Sequence, residues 1–365
     1  MRITKMVCRL VRRDFPPGVK NARRAMTKKT VALVFLESDT GLLGVGEAWT
    51  EFGSPEALVS IWEDDIKPMV VGQDPFFLEA IWSDVMSRTE ESNRRGIVGA
   101  AMSAVNMALW DLVARAMGQP LYKALGASRD KVYTYASAGL YADGKTPEDQ
   151  GREVAGWLSQ GFTGAKIKVA GGPLAVDVQR VAAVREAIGP DARFMIDANY
   201  MLTTTEALRY QRAMAPYDLY WFEAPVSPRS VDGMARINQS GPAPLAGCEN
   251  IFGVDAFRRY LETGAVSFAQ ADLSICGGIS EARRIAALAE AWHVPFTLHA
   301  AGSCVLMSAS IHMAASLPNC ESVEFHQIQQ WLFDMAPEGA FDVKDGHVAP
   351  LEKPGLGLEL TYDDF

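Results

Sequence analysis

Gly164-Ala-Lys-Ile-Lys168 is the stretch that decides the fold, because it is one of eight short β-rich runs separated by segments with the pattern of amphipathic helices. The runs span residues 133–137, 164–168, 194–197, 219–223, 245–249, 268–272, 296–299 and 322–324. From the second run onward, each ends in a polar residue, at positions 168, 197, 223, 249, 272, 299 and 324. The spacing suits one βα unit, and eight consecutive units close a parallel barrel. The sequence therefore predicts an α/β fold built on a (β/α)8-type (TIM) barrel.

The residues on either side of the barrel follow other patterns. Two strands are predicted at residues 29–37 and 43–47, and three helices at residues 55–66, 75–89 and 97–117. Strands followed by helices predict an N-terminal α+β capping domain at residues 1–130, with the barrel at residues 131–325. Residues 326–365 are rich in Gly and Pro and include the apolar run 358–360, so we expect this C-terminal segment to return to the cap and complete it.

Composition excludes several classes of protein. The 365 residues are 48% hydrophobic and 22% charged, as in ordinary globular proteins. With 35 Lys and Arg against 44 Asp and Glu, the net charge of −9 argues against nucleic acid and an anionic membrane as partners. The five cysteines form no CxxC pair and no signal peptide is evident, so we expect a cytoplasmic protein. The apolar stretch 97–113 contains polar residues and is interpreted as a buried helix.

Three carboxylates predict a metal site. Active sites of such barrels lie at the C-terminal ends of the strands, where Asp197, Glu223 and Glu249 end neighbouring runs. Without a counterion, three converging carboxylates would repel one another. A hard divalent cation removes this repulsion, and ligation by oxygen alone favours Mg²⁺, with Mn²⁺ as the alternative. The other interpretation is that the three are rim carboxylates paired with Lys and Arg.

Two lysines predict a base. Lys166 and Lys168 alternate with Ala165, Ile167 and Val169, so both ammonium groups point to the barrel lumen. Two close ammonium groups disfavour each other's charge, and we expect the pKa of one of them to fall. A lysine with a lowered pKa can act as a base near neutral pH. A solvated Lys-x-Lys on an exposed strand is the alternative.

A carboxylate–imidazole pair predicts a second acid/base group. His299 ends the seventh run and Asp272 ends the sixth, so the carboxylate can reach the ring, fix its tautomer and raise its basicity. A single histidine at a strand end is more often structural, and the neighbouring Asp272 favours the catalytic interpretation. His326 lies just beyond the eighth run and could also reach the pocket.

Taken together, the motifs resemble those of the mandelate racemase subgroup of the enolase superfamily, also called the mandelate racemase/muconate lactonizing enzyme family. The matching motifs are Lys166-Ile-Lys168, Asp197-Ala-Asn199, Glu223-Ala-Pro225, Glu249-Asn250, Asp272, Leu298-His299-Ala-Ala-Gly302, Glu324, Gly44-Val-Gly-Glu47 and Pro354-Gly-Leu-Gly357. Residues 268–280 contain no lysine, which argues against the muconate-lactonizing type, and Glu249 argues against the glucarate-dehydratase type. The Lys-x-Lys motif argues against the mannonate-dehydratase type.

The resemblance implies roles for these residues. Asp197, Glu223 and Glu249 would bind Mg²⁺, and Lys168, steered by Lys166, would take the proton alpha to a substrate carboxylate. His299, backed by Asp272, would face the other side of that carbon. Glu324 would hydrogen-bond the carboxylate oxygen of the enediolate intermediate. Asn199 would bind substrate.

The cap would supply the rest of the substrate site. A basic segment with Arg12, Arg13, Lys20, Arg23 and Arg24 could meet a distal carboxylate or hydroxyls, although a solvated loop is the alternative. The other wall would be formed by Glu47, Trp49 and Phe52.

The reaction implied is dehydration of a sugar acid to a 2-keto-3-deoxy acid, as in the acid-sugar dehydratases. The alternatives are a racemase or epimerase, a lactone cycloisomerase, and a barrel that binds metal without catalysis. The partner is then a small-molecule carboxylate, and the family resemblance implies a homo-oligomer. The acidic net charge does not exclude such a substrate, because the metal and the two lysines would offset the ligand carboxylates locally.

Overall fold

A three-stranded antiparallel sheet forms the base of the cap. The computed structural model describes residues 1–15, 17–51, 54–92, 96–328 and 330–365. The first strands are β1 (Ile3–Asp14), β2 (Val19–Lys20), β3 (Lys28–Ser38) and β4 (Leu43–Ala48). The sheet order is β1-β3-β4, and the two strands predicted at residues 29–37 and 43–47 correspond to β3 and β4.

Helices pack on this sheet. They are α1 (Glu56–Ser60), α2 (Lys67–Val70), α3 (Leu78–Arg88), α4 (Ile97–Ala116) and α5 (Leu121–Ala124), with a π-helical turn at Ile61–Ile66 and 3-10 turns at Pro75–Phe77 and Glu90–Ser92. Helix α4 lies directly on β4. A Cβ atom at Gly46 would lie 1.9 Å from the carbonyl oxygen of Ala104, so this close approach requires glycine.

Helix α4 is long and apolar enough to cross a membrane by length and composition. Its mean hydropathy is 1.6, but 89% of the window is buried inside the protein, as is usual for a core helix. The buried-helix interpretation of residues 97–113 agrees with this packing.

Eight parallel strands close the barrel. They are β5 (Val132–Ala138), β7 (Gly164–Lys168), β8 (Arg193–Asp197), β9 (Trp221–Glu223), β10 (Leu245–Gly247), β11 (Phe268–Asp272), β12 (Phe296–His299) and β13 (Cys320–His326). Strand β13 pairs with β5 and completes the ring. The short strand β6 (Tyr141–Ala142) follows β5 and pairs with β2 of the cap. The predicted barrel with an N-terminal cap is confirmed.

Seven helices connect the barrel strands. They are α6 (Pro147–Leu158), α7 (Leu174–Ile188), α8 (Thr204–Met214), α9 (Val231–Ser240), α10 (Val254–Glu262), α11 (Gly278–Ala291) and α12 (Cys304–Ser316), with a 3-10 turn at Ala215–Tyr217. In the part of the chain that the structure describes, β13 is followed by the 3-10 turn Gln330–Phe333 and by no α-helix. The eighth unit therefore consists of its strand alone.

The C-terminal segment contacts the cap. Strand β14 (His347–Val348) pairs with β5, and the backbone of Gly355 bonds to Gln119 and Leu121. Near the 3-10 turn Tyr362–Asp364, the Tyr362 hydroxyl accepts from Lys5 Nζ at 3.0 Å. The cap thus contains both ends of the described chain, while the domain boundaries at residues 130 and 325 stay predictions.

The C-terminal ends of the barrel strands are level. Lys168 is the cross-strand partner of Asp197, and Asp197 is the partner of Glu223. On the other side of the barrel, Asp272 is paired with His299. Since the partners lie at the same height, their side chains converge in one layer at this end of the barrel.

Buried His312 on α12 predicts a pH dependence of stability. Its Nδ1 accepts the Tyr122 N–H at 3.2 Å, and burial lowers its pKa to about 4. In the unfolded state the ring has its ordinary pKa near 6.5. Between about pH 4 and pH 6.5 the unfolded state therefore binds a proton at this ring and the folded state does not. The free energy of unfolding should fall by about 2 kcal/mol from pH 7 to pH 5 through this group.

Urea unfolding of wild type and His312→Asn at pH 7 and pH 5 checks this prediction. The Asn side chain can still accept the Tyr122 N–H but does not titrate, so the variant should lack this part of the loss. His293→Asn, at an exposed position, is the control and should keep it. An equal pH dependence in all three proteins would contradict the prediction.

Candidate active site

The predicted charged residues are buried together. Lys166, Lys168, Asp197, Glu223, Glu249, Asp272, His299 and Glu324 are all exposed by 6% or less. Charges this deeply buried need partners of opposite sign, because water does not reach them. The structure therefore rules out a solvated Lys-x-Lys on an exposed strand, whereas the pairing with lysine that was the other interpretation of the three carboxylates is present for Asp197 and Glu223.

The two lysines are paired with carboxylates. Lys166 Nζ lies 2.5 Å from Glu223 Oε1, 2.9 Å from Glu324 Oε1 and 3.9 Å from Asp197 Oδ2. Lys168 Nζ forms an ion pair with the same oxygen of Asp197. Glu223 also accepts from Trp221 Nε1 at 3.2 Å.

These ion pairs change the expected titration of Lys166. Burial by itself lowers the pKa of this lysine, but the charges of Glu223 and Glu324 outweigh burial and raise its pKa well above the ordinary value. Lys166 is therefore not the lysine with the lowered pKa that the sequence predicted, because its carboxylate partners stabilise the charged form. Burial raises the pKa of Glu223 to about 7 although Lys166 opposes this shift, and burial also raises the pKa of Glu249.

His299 and Asp272 form the expected pair. His299 Nδ1 lies 2.6 Å from Asp272 Oδ2, and the Ser274 N–H donates to the other Asp272 oxygen at 2.7 Å. His299 Nε2 lies 3.4 Å from Glu324 Oε2. Burial lowers the pKa of His299, but Glu324 and Asp272 outweigh this effect and raise the pKa to about 9. The imidazole is therefore protonated at neutral pH and can donate a proton.

The carboxylates fit a hard cation by their chemistry. In the present side-chain conformations, no group of three or more His, Cys, Asp or Glu among the described residues is placed to hold a metal ion. Two of the predicted ligands, Asp197 and Glu223, instead contact the lysine ammonium groups. Among the described residues, Glu249 Oε2 and Asn199 Oδ1 are buried without a hydrogen-bond partner. Unpaired buried oxygens beside further carboxylates are the donor set that Mg²⁺ or Mn²⁺ takes.

The backbone turns sharply just after the strands that carry these ligands. Asn199, Ala224 and Cys248 have positive φ angles of 46°, 44° and 93°, which non-glycine residues rarely adopt. Strand β10 ends at Gly247, and Cys248 lies between the strand and Glu249. This carboxylate therefore lies beyond the strand and not at its last position as the run 245–249 predicted. Such strained conformations cluster at functional sites.

A cavity of about 460 Å³ opens above this layer, and its lining combines barrel and cap residues. The predicted residues that line it are Lys168, Glu249, His299, Asn199, Trp49, Arg23 and Arg24. The sequence prediction missed Asn21, Met26, Glu51, Leu140, Tyr200, Asn250 and Ala301, and it gave His326 little weight. Asn250 and Ala301 stand inside quoted motifs and could have been found there, whereas no signal marks Met26 or Leu140.

Glu47 lies elsewhere than expected. Its carboxylate accepts the Ser303 N–H at 3.0 Å, the Ser303 hydroxyl at 2.6 Å and the Leu306 N–H at 3.2 Å. These donors belong to the start of α12, where an anion is favourable. Glu47 is therefore a structural link from the cap to α12 and is absent from the described lining of the cavity.

The rest of the basic segment is dispersed. Arg12 pairs with Glu56, and Arg13 lines a different surface pocket. Lys20 ends β2 and is not one of the described residues that line the 460 Å³ cavity. Phe52, expected in the other wall, lies outside the described residues.

Glu51 organises the cap side of the cavity. It pairs with Arg24 and with Lys29 Nζ, the latter at 2.8 Å, and Lys29 also donates to the Ala301 carbonyl at 2.9 Å. The charge of Lys29 is the main cause that lowers the pKa of Glu51 to about 2. The cap is thereby connected to the loop that follows His299.

Comparison with known proteins agrees with this fold. The family described as mandelate racemase / muconate lactonizing enzyme, N-terminal domain, matches residues 2–126, and the family described as enolase C-terminal domain-like matches residues 149–364. The arabinonate dehydratase of Saccharolobus solfataricus is 30% identical over 355 residues, which is 95% of each chain. The D-galactarolactone cycloisomerase of Agrobacterium fabrum is 32% identical over 373 residues, covering 100% of this chain and 97% of the other.

A solved structure extends this likeness to three dimensions. The crystal structure of a racemase from Streptomyces coelicolor A3(2) with bound magnesium superposes with a TM-score of 0.91 and 30% identity, covering 99% of this chain and 98% of the other. Fold and sequence define the class as enolase-like barrel enzymes. The chain belongs to the mandelate racemase/muconate lactonizing enzyme family of the enolase superfamily, as the motifs indicated.

Substitution of Glu249 tests the metal site. Glu249→Gln removes a buried negative charge whose Oε2 lacks a partner among the described residues, so without Mg²⁺ the Tm should stay equal to that of wild type or rise. Mg²⁺ at about 100 times its Kd should stabilise wild type by about 2.7 kcal/mol, and the variant far less, because it has lost a charged ligand.

Thermal unfolding with EDTA and with millimolar Mg²⁺ measures both effects. Glu186→Gln, at an exposed position on α7, is the matched control and should respond to Mg²⁺ like wild type. If Glu249→Gln gains as much from Mg²⁺ as wild type, Glu249 is not a ligand.

Proposed function

We propose that this protein is a Mg²⁺-dependent dehydratase that converts a sugar acid to a 2-keto-3-deoxy acid, with Mn²⁺ as an alternative metal. The observation that carries the proposal is that Lys168 and His299 line the same cavity from strands on different sides of the barrel. An acid sugar bound between them would meet one acid/base group on each face of its alpha carbon. The relatives named arabinonate dehydratase and D-galactarolactone cycloisomerase support this substrate class.

Lys168 takes the proton alpha to the substrate carboxylate. The pair of electrons from the broken C–H bond moves toward the carboxylate, which gains negative charge. Lys166, between Glu223 and Glu324, holds a positive charge beside that carboxylate. When bound by Asp197, Glu223 and Glu249, Mg²⁺ neutralises part of the same charge.

His299 completes the elimination. Its imidazolium donates a proton to the hydroxyl on the beta carbon, the C–O bond breaks, and the hydroxyl leaves as water. The resulting enol takes up one proton at the beta carbon and becomes the 2-keto-3-deoxy acid. Asp272 keeps the imidazole oriented throughout, through the 2.6 Å contact with Nδ1.

The cap binds the remainder of the substrate. Arg23, Arg24 and Asn21 line the cavity above the barrel layer, and Trp49 packs on His299 with ring centroids 5.6 Å apart. On the barrel side, Asn199 lines the same cavity. Hydroxyls and a distal carboxylate are the groups that such side chains recognise.

Cycloisomerisation of a lactone is the second candidate. It is favoured by the full-length similarity to the D-galactarolactone cycloisomerase of Agrobacterium fabrum. The same proton abstraction by Lys168 would then be followed by expulsion of the ring oxygen of a lactone in place of a hydroxyl. Product analysis separates the two, because only the dehydratase releases water from an open-chain acid.

We further propose that the reaction takes place in the cytoplasm and that the protein acts as a homo-oligomer. The five cysteines, all free, support a reducing compartment. The partner is a small-molecule carboxylate, and light scattering on the purified protein measures the oligomeric state.

Screening mono- and diacid sugars for 2-keto acid formation with Mg²⁺ tests the proposal. Lys168→Ala and His299→Asn should each lower kcat by at least about 10³-fold, because each removes the group that moves a proton. Both variants should keep the Mg²⁺-induced rise in Tm, and EDTA should abolish turnover by wild type.

Lys131→Ala and His293→Asn are the matched controls at exposed positions and should retain wild-type kcat. Exchange of the alpha proton in D₂O gives a second readout. Failure of every acid to show turnover or exchange would refute the enzymatic assignment, and wild-type rates in Lys168→Ala would refute its role as the base.

A further inference from the structure

A buried ion pair on α7 holds the backbone that leaves β7, although no step of the proposed reaction uses it. Asp177 and Arg180 are exposed by 0% and 6%, and Arg180 Nη1 lies 3.0 Å from Asp177 Oδ1. Both residues face the segment between Lys168 and Gly171.

The Arg180 guanidinium joins two strand ends. Nη1 donates to the Lys168 carbonyl at 2.7 Å, and Nη2 donates to the Gly139 carbonyl, just after β5, at 2.8 Å. Gln150 of α6 accepts from Nη2 at 3.0 Å. A planar guanidinium with several donors can satisfy these acceptors at once, whereas a lysine ammonium cannot match the same planar arrangement.

The Asp177 carboxylate fixes the next residues. Oδ2 accepts the Ala170 N–H at 2.7 Å, where Ala170 has a φ angle of 66° that costs free energy for a non-glycine residue. Oδ1 accepts the Tyr141 hydroxyl at 2.6 Å, and that hydroxyl accepts the Gly171 N–H at 2.9 Å. The carbonyl of Lys168 at the end of β7 and the N–H groups of Ala170 and Gly171 are therefore oriented by side chains on neighbouring elements.

Such a pair contributes little to stability. Bringing two charges out of water costs about as much free energy as their attraction returns, so an intact buried ion pair is a weak stabiliser. Removing one partner alone is destabilising, because it leaves a buried charge uncompensated. A buried ion pair nevertheless has a fixed geometry. Here the pair holds the backbone of Lys168 and Ala170 in place, and Lys168 is the proposed base. A displacement of a reacting group by about 1 Å lowers an enzymatic rate by about 10²-fold.

We propose that the Arg180–Asp177 pair is a positioning device for Lys168, which sets the place of its ammonium group by holding the Lys168 carbonyl and the Ala170 N–H. This inference rests on the proposed function for its catalytic consequence. The effect of the ion pair on the backbone around Lys168 can be measured without an activity assay.

The test compares Arg180→Met with Arg115→Met. Arg115 pairs with buried Asp111 at 3.0 Å on α4 and donates to the Leu358 carbonyl at 2.6 Å, so it is the same kind of ion pair at a distance from Lys168. Hydrogen exchange of the peptide 166–172, Tm, and kcat and KM on an acid found by the screen are measured for both. Arg180→Lys provides a milder variant if Arg180→Met does not fold.

In Arg180→Met, we expect faster exchange in peptide 166–172 and a kcat at least about tenfold lower, with KM changed less than about threefold. Arg180→Lys should fall between this variant and wild type, and Arg115→Met should lower Tm without either effect. Unchanged exchange in peptide 166–172, or an equal loss of kcat in Arg115→Met, would overturn the proposal. If wild type turns over no acid, the proposed function fails, while the exchange comparison still decides whether the pair holds this segment.

Discussion

Closure of the parallel barrel is the constraint on which the rest of the structure depends. Because β13 pairs with β5, the eight strands form a ring with level C-terminal ends. Cross-strand pairing puts Lys168 beside Asp197 and Asp272 beside His299. Residues that are far apart in the sequence therefore meet in one layer, and the layer has nearly no access to water. A shift of one strand by a single residue would turn a charged side chain from the lumen into the surrounding helices.

The charged residues at the C-terminal ends of the strands are buried, and this burial constrains how they can be arranged. Positive and negative groups must alternate, and they do so through Lys166, which contacts Glu223 and Glu324. Glu249 has a buried oxygen without a hydrogen-bond partner among the described residues, and this oxygen is the reason to propose a cation there. The electrostatic demands of the fold and of the proposed chemistry would thus coincide, because the arrangement that neutralises these residues is also the one that would receive the proposed substrate anion.

The spacing of the β-rich runs and the positions of the charged residues were enough to predict the barrel, the cap and the ionisable ends of the strands from the sequence. They do not predict side-chain direction outside regular strands. Glu47 accepts hydrogen bonds at the start of α12, a contact between residues far apart in the sequence. Glu249 lies beyond β10, after the positive φ angle of Cys248. Asp177 and Arg180 have the spacing of any ion pair on a helix, so only tertiary structure reveals that they face Lys168. A contact between elements that are distant in the sequence leaves no local pattern in the sequence, whereas regular strands and helices do.

The return of the C-terminal segment to the cap has a consequence for biosynthesis. Lys5 and Tyr362 are in contact across 357 residues of sequence, and Arg115 meets Leu358 across 243. At roughly 5 to 20 residues per second, a ribosome needs on the order of 20 to 70 seconds to pass from one partner to the other. During that time the N-terminal part of the cap lacks these contacts with the C-terminal segment. The contacts that complete the cap can therefore form only after the barrel strands have been synthesised.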